Sequence, residues 1–341
     1  MRVVDLTESK KDLLCLCLED WSADAREAGP KRREWLDRNE QLGIRAKFAL
    51  DEHGVEGGMI QYGPIEHSHV DGEGLYFVYC IHVHGHRQGR GNFRGRGMGT
   101  ILLYSAEEDA RRQGAKGLVV WGIALPFWMK ASWFRKQGYR KVDRQGISVL
   151  LWKPFTEDAK PPRWFPPTDR LPAPVPGKVN VTAFSNGWCL AQNLVYERAK
   201  RASAEFGRAV KFREIDTSKR ATVAKWGASN EVWVDGKKLQ TGPPPSYEKI
   251  HKTIAKRVRA QAKAKPAKDA RPRAGAKPVG VKPVGVKPAA AAAAEAKARP
   301  EADAKPAATA KPTTTPKPKT GARSKSTATL ATKATPADPE K

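Results

Sequence analysis

Arg94-Gly95-Arg96-Gly97-Met98-Gly99-Thr100 sets two arginines and three glycines directly ahead of the apolar run Ile101-Leu102-Leu103-Tyr104. Glycines at the mouth of a helix let the backbone close around a bulky anion, and the free N–H groups of the first turn then point at it. Arg94 and Arg96 add charge-assisted donors. The chemistry these residues suit is the holding of a phosphate-bearing cofactor. A dinucleotide fingerprint requires G-x-G-x-x-G, whereas here Thr100 stands where the last glycine should be. A nucleotide P-loop requires Lys before Ser/Thr, and the stretch has none.

A second set of reactive side chains lies just upstream. His82, His84 and His86 alternate along a strand-like run, so they share one face. A neutral imidazole there is a candidate base near pH 7. The same histidines, with His67 and His69, have side chains that suit zinc, but no carboxylate or cysteine stands at a recognisable ligand spacing, so the expectation is that no metal is bound.

The positioning elements are those of a mixed α/β domain over residues 1–155. Strands are predicted at 2–6, 44–51, 55–62, 75–83, 117–125, 139–142 and 147–152. Helices are predicted at 11–19, 31–39, 97–113 and 128–137, with Pro30 and Gly43 as breakers.

Arg94, Gly97 and Gly99 spell R-x-x-G-x-G, which resembles the pyrophosphate loop of the GNAT acetyltransferases. The segment Ala131-Ser132-Trp133-Phe134-Arg135-Lys136-Gln137-Gly138-Tyr139 is similar to the F-Y-x-K-x-G-F signature closing that family's core. The resemblance implies a GNAT fold, a mixed and mainly antiparallel sheet flanked by helices, and an N-acetyltransferase that moves an acetyl group from acetyl-CoA directly to an amine. It implies that amides near Ile81, His82 and Val83 face the pantetheine and thioester. Those from Gly95 to Thr100 (Gly95, Arg96, Gly97, Met98, Gly99, Thr100) would hold the pyrophosphate beside Arg94. The base is not fixed: His82 leads, with His84, Glu73 and Glu66 as alternatives. Phe134 stands where many members carry the tyrosine that reprotonates the CoA thiolate, which leaves Tyr139, Ser132 or water as the acid. The run from His84 to Phe93 is also longer than a tight strand-to-loop turn needs, and leaves the loop's register open by several residues.

Seven prolines between Pro161 and Pro176 mark residues 156–177 as a linker, since proline is excluded from sheet interiors. Residues 178–259 read in the order β-α-β-α-β-β-α, with Cys189 opening the first helix, and resemble a thioredoxin-like domain. The placing behind a GNAT domain, and Gly242-Pro243-Pro244-Pro245-Ser246-Tyr247, are similar to the YoaP-like family. Gln192 stands where a second active cysteine would be, so two-thiol exchange within this motif is not available. Cys189 is a candidate nucleophilic thiol, because a helix N-terminus favours thiolate, with packing as the favoured reading.

The formal charge of +26 is uneven: residues 1–250 carry 40 basic against 30 acidic side chains, and residues 251–341 carry 22 against 6. From Ala260 onward the chain is Ala, Lys, Pro and Thr, with Val279–Pro283 repeated at Val284–Pro288. Such a segment cannot bury enough surface to order itself, and is expected to be a disordered basic tail over 260–341. Non-specific nucleic-acid contact through this tail, with an inactive GNAT-like domain, is the alternative function. No apolar run is long enough to span a membrane, and the start lacks a signal-peptide stretch. The four cysteines show no disulfide framework, so a cytoplasmic protein is expected, with nucleoid association following from the tail.

Overall fold

The computed structural model describes residues 1–125, 128–168, 170–239 and 243–264, all within one unit spanning Met1–Pro272. The expected tail over 260–341 lies, from residue 265 on, outside the described residues.

The first half of the chain runs β1 (Arg2–Asp5), α1 (Lys11–Cys15), α2 (Ala23–Asn39), β2 (Arg45–Leu50), β3 (Glu56–Pro64), β4 (Val70–Asp71), β5 (Tyr76–Val83), α3 (Met98–Arg112), β6 (Gly117–Ile123), α4 (Ala131–Lys136), β7 (Arg140–Gln145) and β8 (Ser148–Pro154). Seven of these strands form one sheet in the order β1-β2-β3-β5-β6-β8-β7. Every neighbouring pair is antiparallel except β5 and β6, which are parallel. The mixed sheet flanked by helices is the architecture the sequence implies.

Each face buries its own core. On one side Leu14, Trp35 and Leu36 of the α1–α2 layer pack on Phe48, Phe77 and Tyr79. On the other, Met98, Leu102, Leu103, Ala106 and Ala110 of α3 recur at helical spacing and pack on Ile60, Tyr62, Val78 and Phe134.

Helix α2 differs from the sequence reading. Pro30 was expected to break the chain ahead of a helix at 31–39, yet α2 runs unbroken from Ala23 through Pro30. Ser22 caps it by accepting from the Ala25 N–H at 3.3 Å. Burial of Ala25, Ala28, Gly29, Arg32, Trp35 and Leu36 along one stripe outweighs the single intrahelical bond that proline removes.

The feature that shapes the site is the meeting of β5 and β6. They pair only at Tyr76↔Leu118 and Phe77↔Val119. Beyond Phe77 they part: β5 continues to Val83 against β3, and β6 continues to Ile123 against β8. The cause is local. Gln61 faces Cys80 while Tyr62 faces Val78, so Tyr79 is an extra residue in β5. A bulge of this kind bends and twists its strand away from its neighbour. It also turns both Tyr79 and Cys80 into the same core.

The second half contains β9 (Arg163–Trp164), β10 (Val179–Ser185), α5 (Leu190–Ala204), β11 (Val210–Asp216), α6 (Arg220–Trp226), β12 (Glu231–Val234), β13 (Lys237–Lys238) and α7 (Tyr247–Ala264). Its sheet is ordered β11-β10-β12-β13, with β10 parallel to β11 and antiparallel to β12. The proline-dense stretch is not wholly outside sheet structure: Arg163 and Trp164, between Pro162 and Pro166, pair with Asp71 and Val70.

The two halves are joined by specific contacts. Arg198 on α5 donates to Asp24 on α2 at 2.7 Å and to the Pro245 carbonyl at 2.9 Å. Lys31 reaches Glu214 at 2.7 Å and lies 3.8 Å over the Tyr196 ring. Gly187-Trp188-Cys189, ahead of α5, enters the core of the first half: Trp188 is 5% exposed and stacks on His69, with its edge against Tyr79 and Trp121.

Candidate active site

The glycine loop sits at the mouth of α3, a helix of 15 residues whose first turn carries the positive end of the dipole. Gly95 and Gly97 adopt φ of +79° and +81°, the left-handed region that glycine enters without strain. The Thr100 and Ile101 amides turn inward to the Gly97 carbonyl, at 3.0 and 3.2 Å. Of the predicted segment Gly95–Thr100, therefore, Thr100 is satisfied within the helix. The amides of Gly95, Arg96, Gly97, Met98 and Gly99 take no protein acceptor among the described residues. Arg94 and Arg96 are exposed and in no ion pair among those residues.

The loop is anchored from behind. Phe93 is 4% exposed, its N–H donates to the His84 carbonyl at 2.9 Å, and its ring occupies the space a side chain on Gly57 would need. Met98 is 1% exposed and would stand 2.8 Å from the same added carbon. The long approach from His84 to Phe93 thus folds back as a bridged turn (Gly85↔Asn92), which accounts for its length.

Between β5 and β6 the open strand edge lies beside this loop. Val83 and Trp133 both come within 4 Å of where a Gly99 side chain would begin. Trp121 of β6 spans the parting with its indole N–H, which donates to the Tyr79 carbonyl at 2.9 Å. Ile81 is 8% exposed, while His82 and Val83 are half-buried at the wider end. Ile81, His82, Val83 and the segment from Arg94 to Thr100 are therefore brought to one neighbourhood.

The proposed proton carriers separate. His82 Nε2 has no hydrogen-bond partner among the described residues. Burial, and then the neighbouring His84, Arg94, Arg32 and His86, lower its pKa to about 4, so the ring is neutral across the physiological range. His84 is fully buried and structural: its Nδ1 contacts the Gly91 carbonyl at 2.6 Å and its Nε2 accepts from Trp21 at 3.3 Å. Glu73 is exposed at the opposite end of β5, on the order of 25–30 Å from His82 at strand rise. Glu66 lies at that end too, accepting from the Gly74 N–H at 2.7 Å. Tyr139 is 2% exposed in the α3-side core, and its hydroxyl donates to Glu107 at 3.0 Å. Burial first, then Glu107, hold that phenol well above its ordinary pKa.

Cys189 caps α5 as the sequence suggests, but burial outweighs the Gln192 and Ala191 amides at its sulfur and pushes the thiol up to about 11. The helix terminus therefore does not make it a thiolate. No group of three or more potential metal ligands occurs among the described residues.

Three further residues beside the crevice escape sequence reading. Arg32, on α2, is 1% exposed, and its guanidinium donates to Cys17 Sγ at 2.6 Å and to Gln61 Oε1 at 2.7 Å. Cys17 and Cys80, sixty-three positions apart, meet there. Nothing in the spacing of a helix arginine and two distant cysteines signals this.

No protein-family model and no curated protein sequence matches the chain. Among solved structures, it is similar to a GNAT family acetyltransferase from Brucella melitensis in complex with acetyl-CoA: 16% identity, 47% of this chain and 90% of that one, TM-score 0.32. It is similar to a ribosomal-protein-alanine N-acetyltransferase from the same organism, at 20% identity over 46% of this chain and 100% of that one, TM-score 0.34. It is also similar to the PaiA N-acetyltransferase of Thermoplasma acidophilum in complex with coenzyme A, at 15% identity, 46% and 100% coverage, TM-score 0.34.

Proposed function

We propose that the protein is an acetyl-CoA-dependent N-acetyltransferase of the GNAT type, carrying a thioredoxin-like second domain. One observation carries the reading: an open strand edge between β5 and β6 leads directly to a helix mouth with five unengaged amides and two unpaired arginines. An extended thioester arm suits the first, and a diphosphate suits the second.

In this reading Gly95–Gly99 and the Arg94 and Arg96 side chains hold the pyrophosphate. The edge from Ile81 to Val83 orients the thioester and polarises its carbonyl. The amine enters from the side of α1 and α2, where His82 faces, and attacks the carbonyl carbon directly. Holding both substrates side by side supplies much of the rate. A neutral His82 can take the amine's proton as the C–N bond forms, and the CoA sulfur departs with the electrons of the C–S bond. Tyr139, bound to Glu107 in the opposite core, would need to leave that bond to serve as acid; solvent water is the simpler donor. In the second domain, Trp188 walls the acceptor side, and Cys189 serves as packing.

Isothermal titration of the full chain with CoA tests the cosubstrate. A panel of small and peptidyl amines with acetyl-CoA, read by released thiol, tests the reaction. Saturable CoA binding is expected. A folded protein that takes up no CoA would overturn the assignment.

A further inference from the structure

Arg32 presents a charge problem that acyl transfer does not resolve. Its guanidinium lies inside the protein at 1% exposure, with no carboxylate in ion-pairing range among the described residues. Its partners are the side-chain oxygen Oε1 of Gln61 and the Cys17 sulfur, and its Nε has none among the described residues. A buried cation needs a counter-ion, and among the described residues the Cys17 sulfur is the ionisable group hydrogen-bonded to it.

The backbone around that sulfur is unusual. Cys17 and Leu18 adopt φ of 52° and 64°, two consecutive non-glycine residues in the left-handed region. Bonds from the Cys17 N–H to Leu14 and from the Leu18 N–H to Leu13 hold the turn, at 3.0 and 3.2 Å. The turn delivers the sulfur to Arg32 and packs Cys17 against the core that holds Cys80, the residue that the β5 bulge rotates into it. Cys17 is half-buried as a residue, while Cys80 is 5% exposed.

We propose that Cys17 and Cys80 form a peroxide-reactive dithiol centre, with Cys17 as the attacking sulfur, Cys80 as the resolving sulfur and Arg32 as the positioning residue. The Cys17 thiolate attacks one peroxide oxygen. The O–O bond breaks, the departing oxygen takes a proton from solvent to give water or an alcohol, and Cys17 becomes a sulfenic acid. The Cys80 sulfur then displaces hydroxide from it. The Cys80 proton joins that hydroxide as water, and an S–S bond forms. The two sulfurs lose two electrons and the peroxide gains them. The groups facing Cys17 divide this labour. The Cys80 S–H and then Arg32 hold the Cys17 thiol below its ordinary pKa, against burial and Glu19. Cys80 is pushed well up by its bond to Cys17, while burial pushes Cys15 and Cys189 up to about 11.

The test uses the reduced full chain without CoA, so it is independent of the acetyltransferase reading. After treatment with hydrogen peroxide, a non-reducing tryptic map is expected to join the peptide 12–26 to the peptide 48–87, about 2 Da lighter than their sum. The Cys15→Ser variant, which leaves Cys17 the sole cysteine of its peptide, should give the same product. Cys80→Ser should stop at the sulfenic acid. Alkylation of wild-type Cys17 by iodoacetamide should rise with pH about a midpoint below the ordinary cysteine value of about 8.5. Arg32→Gln should move that midpoint upward and slow alkylation at pH 7, because the cation is lost while the contact with Cys80 remains. A bridge from Cys17 to Cys189, no bridge at all, or a wild-type midpoint at the ordinary value would overturn the proposal. If Arg32→Gln does not fold, the wild-type pH profile and the peptide map decide alone.

Discussion

Gly99→Ala separates a role in ligand binding from a role in folding. Gly99 has no positive φ, so alanine meets no backbone penalty there. The added carbon would lie 3.4 Å from Trp133 Cζ2, 3.7 Å from its Cη2 and 3.8 Å from Val83 Cγ2. These are ordinary packing distances or a slight tightening, and alanine is the better helix former in the first turn. Stability in urea should therefore change by no more than ~0.5 kcal/mol. The same methyl stands between the helix mouth and the open edge of β5. If a diphosphate approaches these amides, the methyl forces it back from one or two of them. A hydrogen bond to a charged group contributes about 1.5–3 kcal/mol, so CoA affinity should fall roughly ten- to a hundred-fold. Calorimetric titration of wild type and variant, alongside their urea curves, reads both quantities. Unchanged CoA affinity in a variant of unchanged stability would remove the loop from the binding site. Lost affinity accompanied by lost stability would mean that Gly99 is a packing residue only.

Gly187→Ala should be severe for a different reason: its φ is +88° and a side chain would start 2.8 Å from Trp35 Cβ. Left-handed strain and overpacking together should cost about 2–5 kcal/mol, seen as an early urea midpoint. His69 and His82 are both held neutral, with pKa lowered to about 4 chiefly by burial. Because the unfolded chain binds more protons, stability is complete above about pH 6.5 and is lost as pH falls towards 4. Between pH 7 and pH 5 each histidine should cost about 2 kcal/mol, and His69→Phe should flatten that slope in urea titrations. Trp121→Phe should keep the ring's packing but strand the Tyr79 carbonyl at the parting, lowering stability by about 1 kcal/mol in the same assay. Removing residues 265–341 should abolish any salt-sensitive binding to duplex DNA in an anisotropy titration; binding that survives the deletion would place the interaction elsewhere.

Much of the scaffold is legible in the sequence because its signals are local. Strands such as 76–83 and 117–123 are continuous apolar runs, α3 shows helical spacing, and the glycine loop announces itself by composition. The order β-α-β-α-β-β-α of the second half was readable for the same reason. Helix α2 was not, because a local breaker, Pro30, yields to burial contributed by distant partners. The parting of β5 from β6 depends on one extra residue, Tyr79, whose pairing offset exists only once β3 lies alongside. Glu73 looked plausible from its nearness in sequence to the strand, yet the length of β5 carries it away from the histidines. The meeting of Arg32, Cys17 and Cys80 is likewise a product of tertiary assembly, and no window of sequence contains it.

The penetration of Trp188 beneath the first sheet bears on how the protein can be taken apart. A fragment ending near residue 155 would leave His69, Tyr79 and Trp121 facing water with their aromatic partner gone. Such a truncated product would present a sticky socket and tend to self-associate during expression. The smallest piece to take into enzymology is therefore expected to extend through the end of α7, with the proline-rich stretch left intact.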